Sequence, residues 1–511
     1  MNCGAAALSP RFRLYFVTSM SKHTSHSHAI DLFAIAHQSM IEAGFRPDFS
    51  GAVKLEVAAL ANKPPQSSSA EVRDLRALIW SSIDDTKSRD LDQIEYAEAL
   101  ANGDTRLLIG IADVDSLVPK GSATDAYAAE NCTSVYTGVK TFPMLPEQLS
   151  TDLTSLVPGE DRAAVVTEMV VAADGTVKTT DFYRALVRNH AKLSYESVGD
   201  WLDGKGSVPE RIREVPGLEA QIRLQDEIAN RLDELRREKG AIELGMIQTT
   251  PVMDDEGKVK ELRVIEPNSA RDLIANFMIA ANVEMAEFLE TKGGPSLRRV
   301  VRTPKYWSRI VEIAADLGEK LPVTPDSRAL ADFLSRRKKA DPLHFPDLSL
   351  AVVKSLGPGE YTVQVPGEEG EGHFGLAVQD YTHSTAPNRR YADVVTQRLV
   401  KAALAGKPAP YTVGELKQIA EQCTDRDDAA RKVERKMRKV AAAVLLKDRI
   451  GEEFAAIVTG VSEKGTFART LKPPVDGRVV RGEHGLRVGD KVRVRLLSTD
   501  PERGFIDFAR A

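Results

Sequence analysis

The chain has little cysteine: only Cys3, Cys132 and Cys423 in 511 residues, far apart. That spacing supplies neither a disulfide framework nor a zinc-ligand set. It fits a reducing compartment, and the cytoplasm is expected. No apolar run reaches the roughly 18 residues of a membrane span, so no membrane segment is expected. A strong net charge is also missing: the formal charge is −5. Any nucleic-acid surface must therefore come from local basic patches. Hydrophobic residues at 42% and charged residues at 28% suit a globular protein long enough for several domains. The first twenty residues lack a long apolar core and a clean small-residue cleavage site, which disfavours a signal peptide. Residues 1–22 read as a disordered tail, or as a start set too early with Met20 as the true first residue.

From His28 to Ala43 the apolar residues Ile30, Leu32, Phe33, Ile35, Ala36, Met40 and Ile41 keep helical spacing, with Gly44 as a stop. "SGAVKLEVAALANKPP" reads as a second helix, ended by Pro64 and Pro65. "SSSAEVRDLRALIW" offers serine caps and an apolar repeat through Val72, Leu75, Leu78 and Ile79. Residues 23–80 therefore read as a small helical domain. A helix-turn-helix or winged-helix binding module and a plain helical cap on the core are both open.

Residues 81–449 read as a large mixed α/β body. "TRLLIGIADV" and the two halves of "AAVVTEMVVAADGTVKTTDFYRALV" alternate as strands, the latter pair around an Asp-Gly turn. "EAQIRLQDEIANRLDELRREKG" is an amphipathic helix stopped at Gly240, and a second helix runs from a Ser269 cap to Gly293. Two more are expected in "DSRALADFLSRRK" and from Thr412 to Ile450. Residues 450–511 change character: short strands between Gly and Asp turns predict a five-stranded antiparallel barrel of the OB type. The fold class is thus multidomain α+β.

Chemistry concentrates in three segments. "SSIDDTKSRDLDQIEY" crowds Asp84, Asp85, Asp90 and Asp92 beside Lys87 and Arg89. Like charges this close are stable when solvated or when a hard cation neutralises them. Leu91 separates Asp90 from Asp92, so in an extended stretch both carboxylates point the same way. An acidic surface loop is the plainer alternative. "HFGLAVQDYTHSTAPNRRYADVVTQRLV" brings Arg389 and Arg390 together before a helix, a pair suited to phosphate. "RDDAARKVERKMRKV" carries a basic stripe, which by itself is most often a solvated helix face.

Together, and in order, these segments resemble the ribonuclease II family, whose catalytic part is the RNB domain. The likeness runs through "IADV" at Ile111, "GSATDAYAAENCTSVY" ending at Tyr136, "PMLP" at Pro143 and "KLSY" at Lys192. It continues through "MIAAN" at Met278, "HFGL" at His373 and "TAPNRRYAD" at Thr385, and covers roughly Ser81 to Ala511. The typical member begins with two cold-shock OB folds, which the helical N-terminal stretch does not match. The resemblance implies a processive 3′→5′ exoribonuclease. Its partner would be single-stranded RNA with a free 3′ end, its products nucleoside 5′-monophosphates, and its expected state a monomer. It implies a Mg²⁺ site, with Mn²⁺ as a substitute, at Asp84, Asp90, Asp92 and Gln93. Arg389 would support the scissile phosphate and Arg390 a neighbouring one. Tyr136 would stack near the 3′ end, and Glu434 would lie near the terminal nucleotide. The barrel resembles an S1 domain, in which Phe467 with Arg469, Arg478, Arg493 and Arg495 are RNA-contact candidates, while Phe454 is expected in the barrel core.

The chain also departs from the family. Gln93 stands where the family has a fourth aspartate; an amide oxygen can ligate a cation but carries no charge. Ala386 replaces a serine and Asn388 an isoleucine, and no aromatic follows "MIAAN" before Tyr306. A catalytically weakened RNA-binding protein is therefore the alternative. A specialist for DNA or structured RNA, gripping a duplex through its N-terminal helices, is a third reading.

Overall fold

A computed structural model describes residues 30–60, 72–254 and 257–511. The tail over residues 1–22, the start at Met20, Cys3, the Pro64–Pro65 stop and the serine caps at 67–69 lie outside the described residues. Among the described residues no helix is long and apolar enough to cross a membrane.

The two expected N-terminal helices are present, Leu32–Glu42 and Gly51–Leu60. The chain turns between them with Gly44 at φ 82°, a left-handed conformation that favours glycine. The third expected helix is not there. Val72–Asp74 is a strand, paired parallel to Arg184–Leu186. A turn at Leu75–Leu78 follows, and then the strand Trp80–Asp84. The i, i+3 spacing of Leu75 and Leu78 mimicked a helix. Pairing decided otherwise: Arg73 reaches Asp181 across the strands, and Arg76 reaches Asp74 and Asp161. Among the described residues the N-terminal helices form a cap. Leu32, Ala36 and Met40 pack against Val433, Met437 and Val440 of the long helix Val413–Leu446, and Val53 and Val57 join the central core.

The body is organised by strand pairing that closes on itself. Trp80–Asp84 pairs with Gln93–Ala99, which pairs with Thr105–Ala112, which pairs with Asp161–Val171. That strand forms a hairpin with the 18-residue strand Val177–Ser194, whose last residues return to Trp80–Asp84. The hairpin turn carries the expected Asp-Gly, with Gly175 at φ 83°. One face of the sheet (Ile83, Ile109, Leu193) packs under the helices Leu218–Glu238 and Ser269–Thr291. The other face (Trp80, Leu108, Val166) packs against the helix Tyr391–Leu404. The second helix is capped one residue earlier than expected. The Asn268 side chain accepts from the Arg271 N–H at 3.0 Å, while the Ser269 hydroxyl donates to Asp203.

The C-terminal strands Glu453–Ser462, Gly465–Thr470, Asp476–Arg481, Phe505–Arg510 and Lys491–Asp500 pair in that order into a closed five-stranded barrel, antiparallel as expected except where Asp476–Arg481 and Phe505–Arg510 run parallel. Phe454 is buried in its core, as expected. Ala442, Ala443 and Leu446 of the long helix share that core. Gly504 touches the same helix, and a Cβ there would stand 2.8 Å from the Lys439 Cβ. One helix thus carries the barrel at its end and the N-terminal cap along its side.

Candidate active site

The acidic segment links two neighbouring strands. Ser81 stands opposite Glu95, a register that sets Asp84 level with Asp92. The loop between them is internally tied. The Asp84 carboxylate accepts from the Asp85 N–H (2.6 Å) and the Ser88 hydroxyl (2.8 Å). Lys192 Nζ donates to the carbonyls of Thr86 and Ser88. A cation thus lies under a loop rich in carboxylates and lowers their mutual repulsion.

Asp92 is the deepest of these groups, 2% exposed. It accepts from the Asn388 N–H at 2.8 Å, and Arg389 Nε stands 3.2 Å from its second oxygen. Burial pushes its carboxyl up to about 7, against the pull of Arg389 and the Asn388 N–H. Asp84 is also raised, chiefly by burial. Two desolvated carboxyls side by side favour anything that brings positive charge.

The arginine loop is set from behind. The Ala386 N–H and Arg390 both donate to the fully buried Asp393, each at 2.7 Å. Asn388, where the family has isoleucine, accepts from the Thr154 hydroxyl at 2.6 Å. Its side chain therefore fixes the loop by a buried hydrogen bond rather than by apolar packing. Tyr136 joins the two halves of the site. Its phenol donates to Asp90 at 2.8 Å, and its N–H donates to Glu434 at 3.0 Å.

These residues share one cavity of about 550 Å³, lined among others by Asp84, Asp90, Asp92, Gln93, Tyr136 and Arg389. Glu434 stands directly behind Tyr136. Two sequence candidates are placed elsewhere. Arg390, expected at a phosphate, turns to Asp393 and Thr385 and does not line the cavity. Phe467 is on the barrel, part-exposed, outside the cavity lining. Asp85 pairs with Arg271 at 2.9 Å, which also lies over the ring of Tyr195.

Sequence reasoning assigned no role to Ser88, Lys192, Tyr195, Gln248, Arg271 or Thr385, although all but Lys192 line the cavity. "KLSY" carried Lys192 and Tyr195, yet nothing in its spacing pointed to the acidic loop.

Among the described residues no three His, Cys, Asp or Glu side chains converge as a ready metal cluster. The cavity nonetheless offers oxygen donors: the carboxylates of Asp84, Asp90 and Asp92, with Asp85 paired to Arg271, and the Gln93 amide. That set fits a hard divalent cation whose shell is completed by water and a phosphate, because Mg²⁺ ordinarily takes only one or two carboxylates from protein.

The RNB domain family matches residues 72–406, and the RNase II-type exonuclease C-terminal S1 domain matches residues 452–511. Ribonuclease R of Aquifex aeolicus is 30% identical over 487 residues, 89% of this chain and 67% of that protein. Ribonuclease R of Escherichia coli is 30% identical over 497 residues, 90% of this chain and 60% of that protein. The chain thus spans about 60% to 67% of the length of these relatives. The Mycoplasma genitalium RNase R complex with ribose-methylated single-stranded RNA has the same fold. Its TM-score is 0.84 at 24% identity, over 94% of this chain and 78% of that one. The chain belongs to the RNB-domain family, and its C-terminal barrel is an RNase II-type S1 domain.

Proposed function

We propose that the protein is a 3′→5′ exoribonuclease that removes nucleoside 5′-monophosphates processively from single-stranded RNA. The observation that carries this reading is the shared cavity of Asp84, Asp90, Asp92 and Gln93 with Arg389 and Tyr136. The family supports it. Mg²⁺, with Mn²⁺ as a substitute, is the cation this donor set suits, and when bound it lowers the pKa of water and shields the leaving oxygen.

The chain's own residues position the reaction. Arg389 is within reach of Asp92 and faces the cavity. Its guanidinium supports the scissile phosphate, whose negative charge builds during in-line attack. Asp84, Asp90 and Asp92 are the carboxylate ligands, and Gln93 contributes an uncharged oxygen. Tyr136 offers its ring to a terminal base, held by Asp90 at its phenol and Glu434 at its backbone. The protein acts as a monomer in the cytoplasm, and RNA is preferred over DNA because the 2′-hydroxyl distinguishes the two.

The test uses 3′-labelled single-stranded RNA with Mg²⁺ or Mn²⁺. Metal-dependent release of mononucleotides is expected, and no release at any metal concentration would overturn the enzyme reading in favour of RNA binding alone. Asp92→Asn should abolish turnover, by on the order of 10³-fold, while leaving RNA binding largely intact. Retained turnover would refute the assignment of Asp92.

A further inference from the structure

The cavity holds a second arginine that the catalytic assignment does not use. Arg271 lines it together with Arg389, from a different element. Arg271 stands in the first turn of the helix Ser269–Thr291, whereas Arg389 lies just before the helix Tyr391–Leu404. The backbone of Arg271 is fixed by the Asn268 cap, which accepts its N–H at 3.0 Å. Its guanidinium carbon lies 4.4 Å from the centroid of the Tyr195 ring, and Tyr195 lines the same cavity. A cation seated on an aromatic face keeps its charge and loses freedom.

The ion pairs of Arg271 are of a replaceable kind. Nη2 carries both, to Asp85 at 2.9 Å and to Glu196 at 3.1 Å. Neither carboxylate takes two N–H groups of the guanidinium fork, and the buried Nε has no hydrogen-bond partner among the described residues. The side chains of Asp85 and Glu196 are 58% and 60% exposed, against 24% for Arg271. Ion pairs to carboxylates this exposed contribute little. The arginine is therefore fixed while its partners are loosely held. A phosphate can displace them, because two of its oxygens match the fork with parallel hydrogen bonds.

We propose that Arg271 binds the 5′-phosphate of the released nucleotide, and that Asp85 and Glu196 compete for the same guanidinium and speed release. This role rests on the exoribonuclease reading. Hydrolysis breaks the bond from phosphorus to the 3′-oxygen; water supplies the hydroxyl on phosphorus and the proton on the 3′-oxygen. A diester with a single negative charge becomes a monoester carrying about −1.5 to −2 near pH 7. The added charge appears in a cavity already crowded by Asp84, Asp90 and Asp92. Arg389 is shared with Asp92 at 3.2 Å. Among the described residues lining the cavity, Arg271 is the other cation. It therefore meets the charge that hydrolysis adds. When the monophosphate leaves, Asp85 and Glu196 recapture Arg271 and the site is reset.

The experiment titrates AMP and adenosine into the full chain by calorimetry in the presence of Mg²⁺, so that no turnover is required. The unaltered protein should bind AMP more tightly than adenosine. Arg271→Gln should weaken AMP by about 10-fold, the loss of one charge-assisted contact, without weakening adenosine. Arg271→Lys, which keeps the charge, should recover part of that loss. Asp85→Asn combined with Glu196→Gln should tighten AMP and slow steady-state turnover relative to single-turnover cleavage. Equal AMP affinity with and without Arg271 would overturn the proposal, and so would a parallel loss of adenosine binding. Unchanged AMP affinity in the double variant would overturn the competition. Absence of mononucleotide release from 3′-labelled RNA would instead overturn the exoribonuclease reading, and the AMP titration would still decide whether Arg271 binds a phosphate.

Discussion

The acidic cavity and the C-terminal barrel both carry crowded charge, and the fold treats them in opposite ways. On the barrel, several arginines meet carboxylates of the chain. Arg493 and Arg495 flank Glu453 at 3.3 and 2.7 Å, and Arg469 meets Asp347 at 2.8 Å. In the cavity, Asp84, Asp90 and Asp92 crowd together with Arg389 paired to Asp92, and burial raises the carboxyls of Asp84 and Asp92. Matched pairs are structural. Like charges held together out of water store a demand for a positively charged ligand. Three of the four barrel arginines read as RNA contacts from sequence are thus engaged with carboxylates of the chain itself.

The largest effect should come from the cavity. Arg389→Ala should lower kcat by about 10²–10³-fold, the usual result of removing one electrostatic donor at a developing charge. Single-turnover cleavage of labelled RNA checks it, and a change in KM alone would move Arg389 out of the reacting centre.

Next is the buried pair that joins the barrel to the helix Phe345–Leu356. Arg469 and Asp347 are both nearly buried, so Arg469→Ala leaves an uncompensated carboxylate. It should cost about 3 kcal/mol of stability, read as a fall in urea midpoint. An unchanged midpoint would mean that this pair belongs with the exposed ones.

A smaller effect is expected at Gln93. Gln93→Asp restores a charged oxygen beside Asp92 and should lower the Mg²⁺ concentration for half-maximal cleavage by a few-fold. An unchanged metal dependence would show that position 93 is no ligand.

The smallest effect belongs to the barrel surface. Arg495→Ala should leave the melting temperature within error, because exposed ion pairs contribute little. If it also leaves the salt dependence of RNA binding unchanged, Arg495 makes no phosphate contact.

Much of the fold was legible because pattern and turn chemistry agreed. The hairpin around Asp174-Gly175, the barrel and the long helices appear where the periodicity put them. The error over Val72–Ile79 has a physical origin. Two leucines three apart satisfy a helix, but a strand neighbour far along the chain offered backbone pairing and arginine–aspartate contacts. The site was legible as residue types in order. Residue type alone did not say which arginine faces the cavity, although the family resemblance pointed to Arg389: the two are adjacent and chemically identical, and the buried Asp393 turns Arg390 away.

The sequence alone determined the domain order, the acidic segment, the arginine pair and the substitution at Gln93, because each is local or lies in a short motif. Only the tertiary structure decided that Tyr136 bridges Asp90 and Glu434 and that Lys192 braces the acidic loop. The reason is common to both. Each contact joins residues far apart along the chain, and no local periodicity encodes a distance that packing alone sets.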